Sequence, residues 1–156
     1  MSSQQQLQEL SQQLQEIQGA IETLEGTVED LQAQKTEVDE SIDAIETLET
    51  DSIVQVPLGG GAFVRARIED IDEVIVELGA DYAAEFEQEG AIDALESKKE
   101  RLDERIEEVT ERISELEAES TQLEQQAQQL QQQALQQQMQ QMQGGGQGPG
   151  QGDSDE

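Results

Sequence analysis

The chain has 156 residues, of which only 33% are hydrophobic and 2% aromatic, so we do not expect it to enclose a large hydrophobic core. Asp and Glu number 37 against 8 Lys and Arg, and the net charge of -29 makes nucleic acid and anionic membrane surfaces poor partners. Cysteine and histidine are absent, which excludes disulfide bonds and Cys-ligated zinc and removes the commonest catalytic acid–base side chain.

The amino terminus lacks the features of a secretion signal. Residues 1–6 carry neither the basic start nor the apolar stretch that such a signal requires. No apolar run along the chain approaches the roughly 18 residues of a membrane span. We therefore expect a cytoplasmic protein.

Residues 1–50 carry a heptad repeat and are predicted to form the first of two coiled-coil helices. Apolar residues recur at alternating intervals of three and four, and eleven of the twelve seam positions are apolar, with Lys35 the exception. Such regularity over more than five heptads is typical of a coiled coil. The seam positions are Leu7, Leu10, Leu14, Ile17, Ile21, Leu24, Val28, Leu31, Lys35, Val38, Ile42 and Ile45.

Residues 51–89 change period and predict two β-hairpins. Segments 52–58 and 62–68 are rich in β-branched residues and flank the triplet Gly59-Gly60-Gly61. Segments 73–78 and 81–86 flank Gly79-Ala80 in the same way. Glycine between two such segments is the signature of a hairpin. Because isolated hairpins are marginally stable in water, we expect the apolar faces of both to be buried mainly by other chains.

Residues 90–142 return to the heptad pattern and predict the second coiled-coil helix. Beyond Leu130 the phase breaks into Leu135, Met139 and Met142 within a glutamine-rich run. The glycine-rich and acidic residues 143–156 are predicted to be a disordered tail.

The two arms can be aligned as an antiparallel pair, because the hairpin region reverses the chain. Facing residues whose numbers add up to 137, such as Ile42 and Leu95, place an a position opposite a d position in every layer. A slip of one heptad, to 144, preserves this rule and stays open. Each seam lysine has an acid one turn further along its own helix, Asp39 for Lys35 and Asp103 for Lys99, toward which its ammonium group could extend.

No catalytic, cofactor or metal site is predicted. The triplet Gly59-Gly60-Gly61 lacks the Gly-Lys-Ser/Thr ending of a phosphate-binding loop, so a turn is the better interpretation. The acidic run from Glu69 to Glu73 lacks the spacing of a calcium-binding loop and is interpreted as a solvated connection. We therefore do not expect an enzyme.

The ends of the two arms are the candidate binding surface. The seam there is thinned by Ala127 and Ala134, which leaves neighbouring leucines incompletely covered. Exposed leucine and methionine side chains suit promiscuous binding of apolar segments, although fraying helix ends without a ligand would look the same in sequence. The candidate residues are Leu7, Leu10, Leu14, Leu130, Leu135, Met139 and Met142.

The order of these parts resembles the alpha subunits of archaeal prefoldin, and the acid excess resembles a haloarchaeal version. The resemblance covers roughly residues 5–142 and is most specific in the Val56-Pro57-Leu58-Gly59 segment and the Gly79-Ala80-Asp81-Tyr82 turn. It implies an α+β fold, in which a long antiparallel coiled-coil hairpin carries two central β-hairpins that join a multi-chain β-barrel.

The resemblance also implies an ATP-independent chaperone. The family's assembly is a hexamer of two alpha and four beta subunits that holds unfolded polypeptides between its coiled-coil tips and transfers them to a group II chaperonin. Assembly would use apolar residues of the hairpins, namely Ile53, Val54, Val56, Phe63, Val64, Val74, Ile75, Val76, Tyr82 and Phe86. The alternative is a structural coiled-coil spacer or scaffold subunit without client binding, which would need neither two different hairpins nor uncovered tips.

Overall fold

The structure is a computed structural model that describes residues 2–147. It confirms the predicted α+β organisation of two long helices and two antiparallel β-hairpins. The elements in chain order are α1 (Ser3–Thr47), β1 (Ile53–Gly59), β2 (Ala62–Arg67), β3 (Val74–Gly79), β4 (Tyr82–Phe86) and α2 (Gln88–Gln147). We call the β1–β2 pair hairpin 1 and the β3–β4 pair hairpin 2.

The chain divides into two compact units, which we describe separately. Unit 1 takes in the described parts of residues 1–25 and 110–156, and unit 2 takes in residues 26–109. In both units every heptad seam position is buried or half-buried, whereas most other helical positions are exposed. The burial of the two helices therefore follows the heptad period.

Two ion pairs fix the alignment of the helices in unit 2. Lys35 Nζ lies 2.6 Å from Asp103 Oδ1, and Lys99 Nζ lies 2.7 Å from Asp39 Oδ1. Both pairs join α1 to α2, so each lysine binds the acid of the opposite helix rather than the acid one turn along its own. The pairs fit the 137 alignment, in which Lys35 lies opposite Leu102. The 144 alignment would place Val109 there instead.

Hairpin 1 turns at two glycines, as predicted. Val56 pairs with Val64, the register shifts between Pro57 and Gly59, and Gly59 pairs with Ala62. Gly60 and Gly61 form the two-residue loop with φ values of 59° and 81°. A tight hairpin turn of the primed type needs positive φ at both central residues, which glycine adopts without steric cost.

Hairpin 2 turns one residue later than the sequence suggested. Gly79 pairs with Tyr82, so the loop residues are Ala80 and Asp81, with φ values of 52° and 62°. Gly79 itself occupies the irregular position before the turn, where its φ is 101°. An alanine in the left-handed region costs roughly 1 kcal/mol, so this turn is less favourable locally than that of hairpin 1.

The core of unit 2 joins the two helices to hairpin 2. It contains Val38, Ile42, Val76, Ala91 and Leu95, and Val76 is only 5% exposed. The partly buried residues around it include Val74, Leu78 and Phe86 from hairpin 2. Val76 is thus covered by the helices of its own chain, and its part in assembly stays a prediction.

A side chain from α2 closes the end of α1. Gln88 Nε2 donates hydrogen bonds to the carbonyl oxygens of Ile45 at 2.7 Å and Leu48 at 3.0 Å. The last carbonyls of a helix lack partners within the helix, so this amide satisfies two groups that would otherwise need water. Asp72 Oδ1 accepts a hydrogen bond from the Gln88 backbone N–H at 3.3 Å. The segment before β3 is thus tied to the start of α2.

Helix α2 is longer than predicted at both ends. It begins at Gln88 rather than at residue 90, and it continues to Gln147 rather than ending at residue 142. Each residue added to an existing helix gains a hydrogen bond without a new nucleation cost, which offsets the low helix propensity of glycine. Helix α2 thus overlaps residues 143–147, the first five of the segment predicted to be a disordered tail. The rest of that tail, 148–156, lies outside the described residues.

Candidate functional site

Hairpin 1 exposes large apolar side chains on both of its faces. Phe63 is 60% exposed and Ile53 55%. Val56 and Val64, which pair across the strands, are 40% and 47% exposed, and Val54 is half-buried. Leu58, which the sequence analysis left out of the candidate residues, is 67% exposed. The sequence signal for this exposed residue is its apolar side chain directly before the glycine turn. Several large apolar side chains exposed on one short hairpin mark an interaction site.

Hairpin 2 divides its apolar residues between an inner and an outer face. Val74 and Phe86 form a cross-strand pair and are half-buried against the core of unit 2, as is Leu78. Ile75 points to the other face and is 73% exposed. Tyr82, at the end of the turn, is 65% exposed. Only Ile75 and Tyr82 among the hairpin 2 candidates therefore remain largely available to another chain.

The described ends of the helices in unit 1 form a groove lined mainly by glutamine. Its volume is about 360 Å³. The lining residues are Gln6, Glu9, Leu10, Gln13, Gln126, Gln129, Leu130 and Gln133. We call this the tip groove. It brings together Leu10 and Leu130, two of the residues predicted to contact an apolar ligand, among five glutamine amides and the carboxylate of Glu9.

The seven candidate tip residues fall into two classes. Leu7, Leu10, Leu14 and Leu130 lie in the seam between the helices and are half-buried. Leu135, Met139 and Met142 extend the surface along α2 and are 60%, 66% and 78% exposed. The second class offers apolar area without any rearrangement of the helix pair.

The same part of unit 1 is nearly free of charge. Among residues 2–18 and 120–147, the charged side chains are those of Glu9, Glu16 and Glu124, and all eight basic residues lie between Lys35 and Arg112. Electrostatic repulsion from the strongly acidic chain is therefore weakest where the apolar side chains are most exposed.

Comparison with protein families decides which class of protein has this arrangement. The family model described as prefoldin subunit matches residues 17–133, which is three quarters of the chain. The chain belongs to the prefoldin family. Prefoldins are chaperones. The match ends before Leu135, so the exposed residues Leu135, Met139 and Met142 lie beyond it.

Several haloarchaeal proteins named prefoldin subunit alpha are similar to this prefoldin chain. The protein from Halorubrum lacusprofundi is 62% identical over 100 residues, which cover 64% of this chain and 66% of that protein. The protein from Haloquadratum walsbyi is 63% identical over 100 residues, covering 64% and 65% of the two chains. The protein from Haloarcula marismortui is 63% identical over 70 residues, covering 45% and 46%. The matches thus span about half to two thirds of these relatives' lengths.

A solved structure has the same fold. A chain from the cryo-EM structure of filamentous PFD from Methanocaldococcus jannaschii superposes with a TM-score of 0.64 at 27% sequence identity. The match covers 72% of this chain and 96% of that chain. The helices and hairpins described above are therefore those of a prefoldin subunit.

The ion pair with Asp39 shifts the pKa of Lys99. The pKa of Lys99 is raised above its ordinary value of 10.5, chiefly because its ammonium group donates a hydrogen bond to Asp39. The negative charges of Asp39, Asp103 and Glu96 add to this effect, and partial desolvation opposes it. Lys99 is accordingly held in its charged form beside the core of unit 2.

Residues 2–147 lack two further kinds of feature. Within that range, no group of three or more acidic side chains is arranged to hold a metal ion. None of the helices described is apolar enough over a sufficient length to cross a membrane.

Proposed function

We propose that this chain is a subunit of an ATP-independent holdase in the cytoplasm, which captures unfolded polypeptides at its coiled-coil tips. The observation that carries the proposal is the exposure of Leu135, Met139 and Met142 in a segment nearly free of charge. Apolar side chains on a helical segment nearly free of charge can contact many different sequences, because apolar attraction does not depend on a particular partner.

The proposed assembly is a hexamer of two alpha subunits, of which this chain is one, and four beta subunits. Support comes from hairpin 1, whose exposed side chains Val56, Leu58 and Phe63 would cost solubility in a free monomer. In the hexamer, hairpins of several chains would form a shared β-barrel that buries these faces and pairs the free strand edges.

The proposed cycle ends with transfer of the client to a group II chaperonin. We propose no role for nucleotide in capture, because the glycine triplet that follows a strand, Gly59-Gly60-Gly61, forms the hairpin 1 turn. The positive φ values at Gly59, Gly60 and Gly61 serve that turn, and no helix follows it to bind phosphate.

The test measures how well the assembled protein suppresses aggregation of a chemically unfolded client in molar potassium chloride. The variant Leu135→Ser, Met139→Ser, Met142→Ser removes the exposed apolar residues. Each substitution removes on the order of 1.5 kcal/mol of potential apolar burial, so we expect suppression to be lost. The control Gln137→Ser, Gln140→Ser, Gln141→Ser changes three residues of the same helical segment and should behave like the parent.

Assembly is followed by native mass spectrometry in parallel, so that loss of capture is distinguished from loss of the complex. A triple variant that assembles and still protects the client would contradict the tip mechanism. A parent assembly that fails to protect any client would favour the structural spacer instead.

A further inference from the structure

A second groove lies in unit 2, between the turn of hairpin 2 and one face of α2. It is an open groove of about 620 Å³. Lys98, Arg101 and Arg105 line it from the helix, and Leu78 and Tyr82 line it from the hairpin. We call it the basic groove. Of its lining residues, only Tyr82 is among those predicted to contact other subunits.

The basic groove concentrates positive charge in a strongly acidic chain. It holds three of the eight Lys and Arg residues, against 37 Asp and Glu residues in the whole sequence. The three cations follow one another at intervals of three and four residues and so lie on one face of α2. Like charges one turn apart destabilise a helix unless something neutralises them.

The two arginines have no partner within residues 2–147. Lys98 Nζ donates a hydrogen bond to the Glu77 carbonyl oxygen at 3.2 Å and thereby holds hairpin 2 against the helix. Arg101 and Arg105 are exposed and make no ion pair or side-chain hydrogen bond with any described residue. Their guanidinium groups are therefore available to carboxylates from outside.

The rest of the lining contributes apolar side chains for contact with a ligand. It also contributes acidic groups, which exclude nucleic acid and polyphosphate. Leu102 and Leu78 are half-buried at the base, and Tyr82 is 65% exposed at the rim. The carboxylates of Glu77 and Asp81 also line the groove. A nucleic acid or polyphosphate would be repelled by these two acids, whereas a ligand with spaced carboxylates and an apolar side can avoid them.

We propose that the basic groove binds an acidic amphipathic helix of a companion subunit. Such a helix presents glutamates at intervals of three and four residues, which matches the spacing of the cations, and its leucines would contact Leu102 and Tyr82. Charge complementarity selects this occupant. The inference rests on the multi-subunit assembly proposed above, but it is independent of client capture.

The chain supplies its own reporter for the test. Tyr82 is the only tyrosine and there is no tryptophan, so intrinsic fluorescence comes from the rim of the basic groove. The probe is a synthetic helix of three heptads, with leucine at a and d, glutamate at the flanking positions and no aromatic residue. It is titrated into the full chain at the lowest potassium chloride concentration at which the parent stays folded, because salt screens exposed ion pairs.

Arg101→Gln, Arg105→Gln should weaken the Kd for the probe about tenfold, because two carboxylates lose their partners. The matched control is Arg65→Gln, Arg67→Gln, which removes two other arginines that make no ion pair in the described part of the chain, from hairpin 1. It should bind like the parent. Arg101→Lys, Arg105→Lys keeps the charge and should retain most of the binding, which separates charge from folding defects.

Three results would overturn the proposal. One is an unchanged tyrosine signal on addition of the probe. Another is an equal loss of binding in the control. The third is self-association of the chain, in analytical ultracentrifugation, that disappears in Arg101→Gln, Arg105→Gln, since the occupant would then be a second copy of this chain. None of these measurements depends on holdase activity.

Discussion

Hairpin 1 and hairpin 2 share one plan, two short strands with an irregularity before a two-residue turn, but their apolar side chains meet different surroundings. Val76 of hairpin 2 is 5% exposed in the core of unit 2. Val64 of hairpin 1 is 47% exposed. Hairpin 2 is therefore part of the folded chain, whereas hairpin 1 presents a surface that its own chain leaves largely uncovered.

The difference teaches that a hairpin in an oligomeric subunit can serve either the chain or the assembly. Each hairpin contains a run of three apolar residues, 62–64 in hairpin 1 and 74–76 in hairpin 2, and both contain β-branched residues at their centres. What separates them is the position of Val38, Ile42 and Leu95, which lie under hairpin 2. Each of the following experiments tests one side of this contrast.

The largest effect is expected for Val76→Asp. An unpaired carboxylate in the core of unit 2 should lower the free energy of unfolding of the isolated chain by roughly 3 to 5 kcal/mol. Ile75→Asp is the matched control, because it introduces the same charge one residue away on the 73% exposed outer face. Denaturant unfolding in molar salt measures both. Equal losses would show that the two faces of β3 are not distinct.

The second effect concerns Val64→Asp in hairpin 1. Because Val64 is 47% exposed, the isolated chain should lose less than about 1 kcal/mol of stability. The complex with companion subunits should nevertheless fail to form, since the carboxylate would be buried in the shared barrel. Size-exclusion chromatography of the mixed subunits checks this, with the exposed substitution Ala20→Asp in α1 as the control. If the Val64→Asp variant still forms the complete complex, hairpin 1 is not part of the subunit interface.

A smaller effect is expected at the two turns. Ala80→Gly should stabilise the chain by about 0.5 to 1 kcal/mol, because glycine removes the strain of a positive φ. Gly60→Ala should destabilise it by about 1 kcal/mol, although no atom lies within 4 Å of the added Cβ. Thermal unfolding of the two variants measures both changes. The same sign for both would mean that backbone conformation does not govern these turns.

The smallest effect concerns the ion pair of Lys99 with Asp39, beside the core on which hairpin 2 packs. Because the pKa of Lys99 is raised by folding, its contribution to stability is fully present below the ordinary value of 10.5 and is lost as the pH rises through the folded-state value. Asp39→Asn should reduce this alkaline loss, and Asp43→Asn, one turn away, should leave it unchanged. Denaturant midpoints measured up to alkaline pH test this. If the denaturant midpoints of the parent, Asp39→Asn and Asp43→Asn fall in parallel as the pH rises, the ion pair does not contribute to stability in this way.

Much of the fold followed from the sequence because period and burial are directly linked. The heptad interval requires one face of each helix to be covered, and the structure covers that face at every seam position, including Ala127 and Ser120. The turn of hairpin 1 was also predictable, because three successive glycines favour positive φ. The turn of hairpin 2 was not, because Gly79 occupies the irregular position and Ala80 the strained one.

Other features could not be predicted because the sequence offered two equivalent solutions. Asp39 lies one turn from Lys35 on the same helix and also beside Lys99 across the pair, and only the three-dimensional alignment selects the second contact. Val76 and Val64 have similar sequence surroundings, so the local sequence does not predict which of them packs against the helices of its own chain. For the candidate site, composition indicated Leu135, Met139 and Met142, but only the structure separates them from the half-buried leucines of the seam.

The crossed ion pairs give the middle of unit 2 a local two-fold symmetry. Residues 35–39 read Lys-Thr-Glu-Val-Asp and residues 99–103 read Lys-Glu-Arg-Leu-Asp, so each helix offers a lysine, an apolar residue and an aspartate at matching positions. Each lysine meets the aspartate of the other helix. Two copies of α1 laid antiparallel could satisfy the same contacts, as could an α1 exchanged between two chains. These two ion pairs therefore specify the direction and the register of the paired helices but not which chain each helix comes from. The hairpins and Gln88 determine which helices pair.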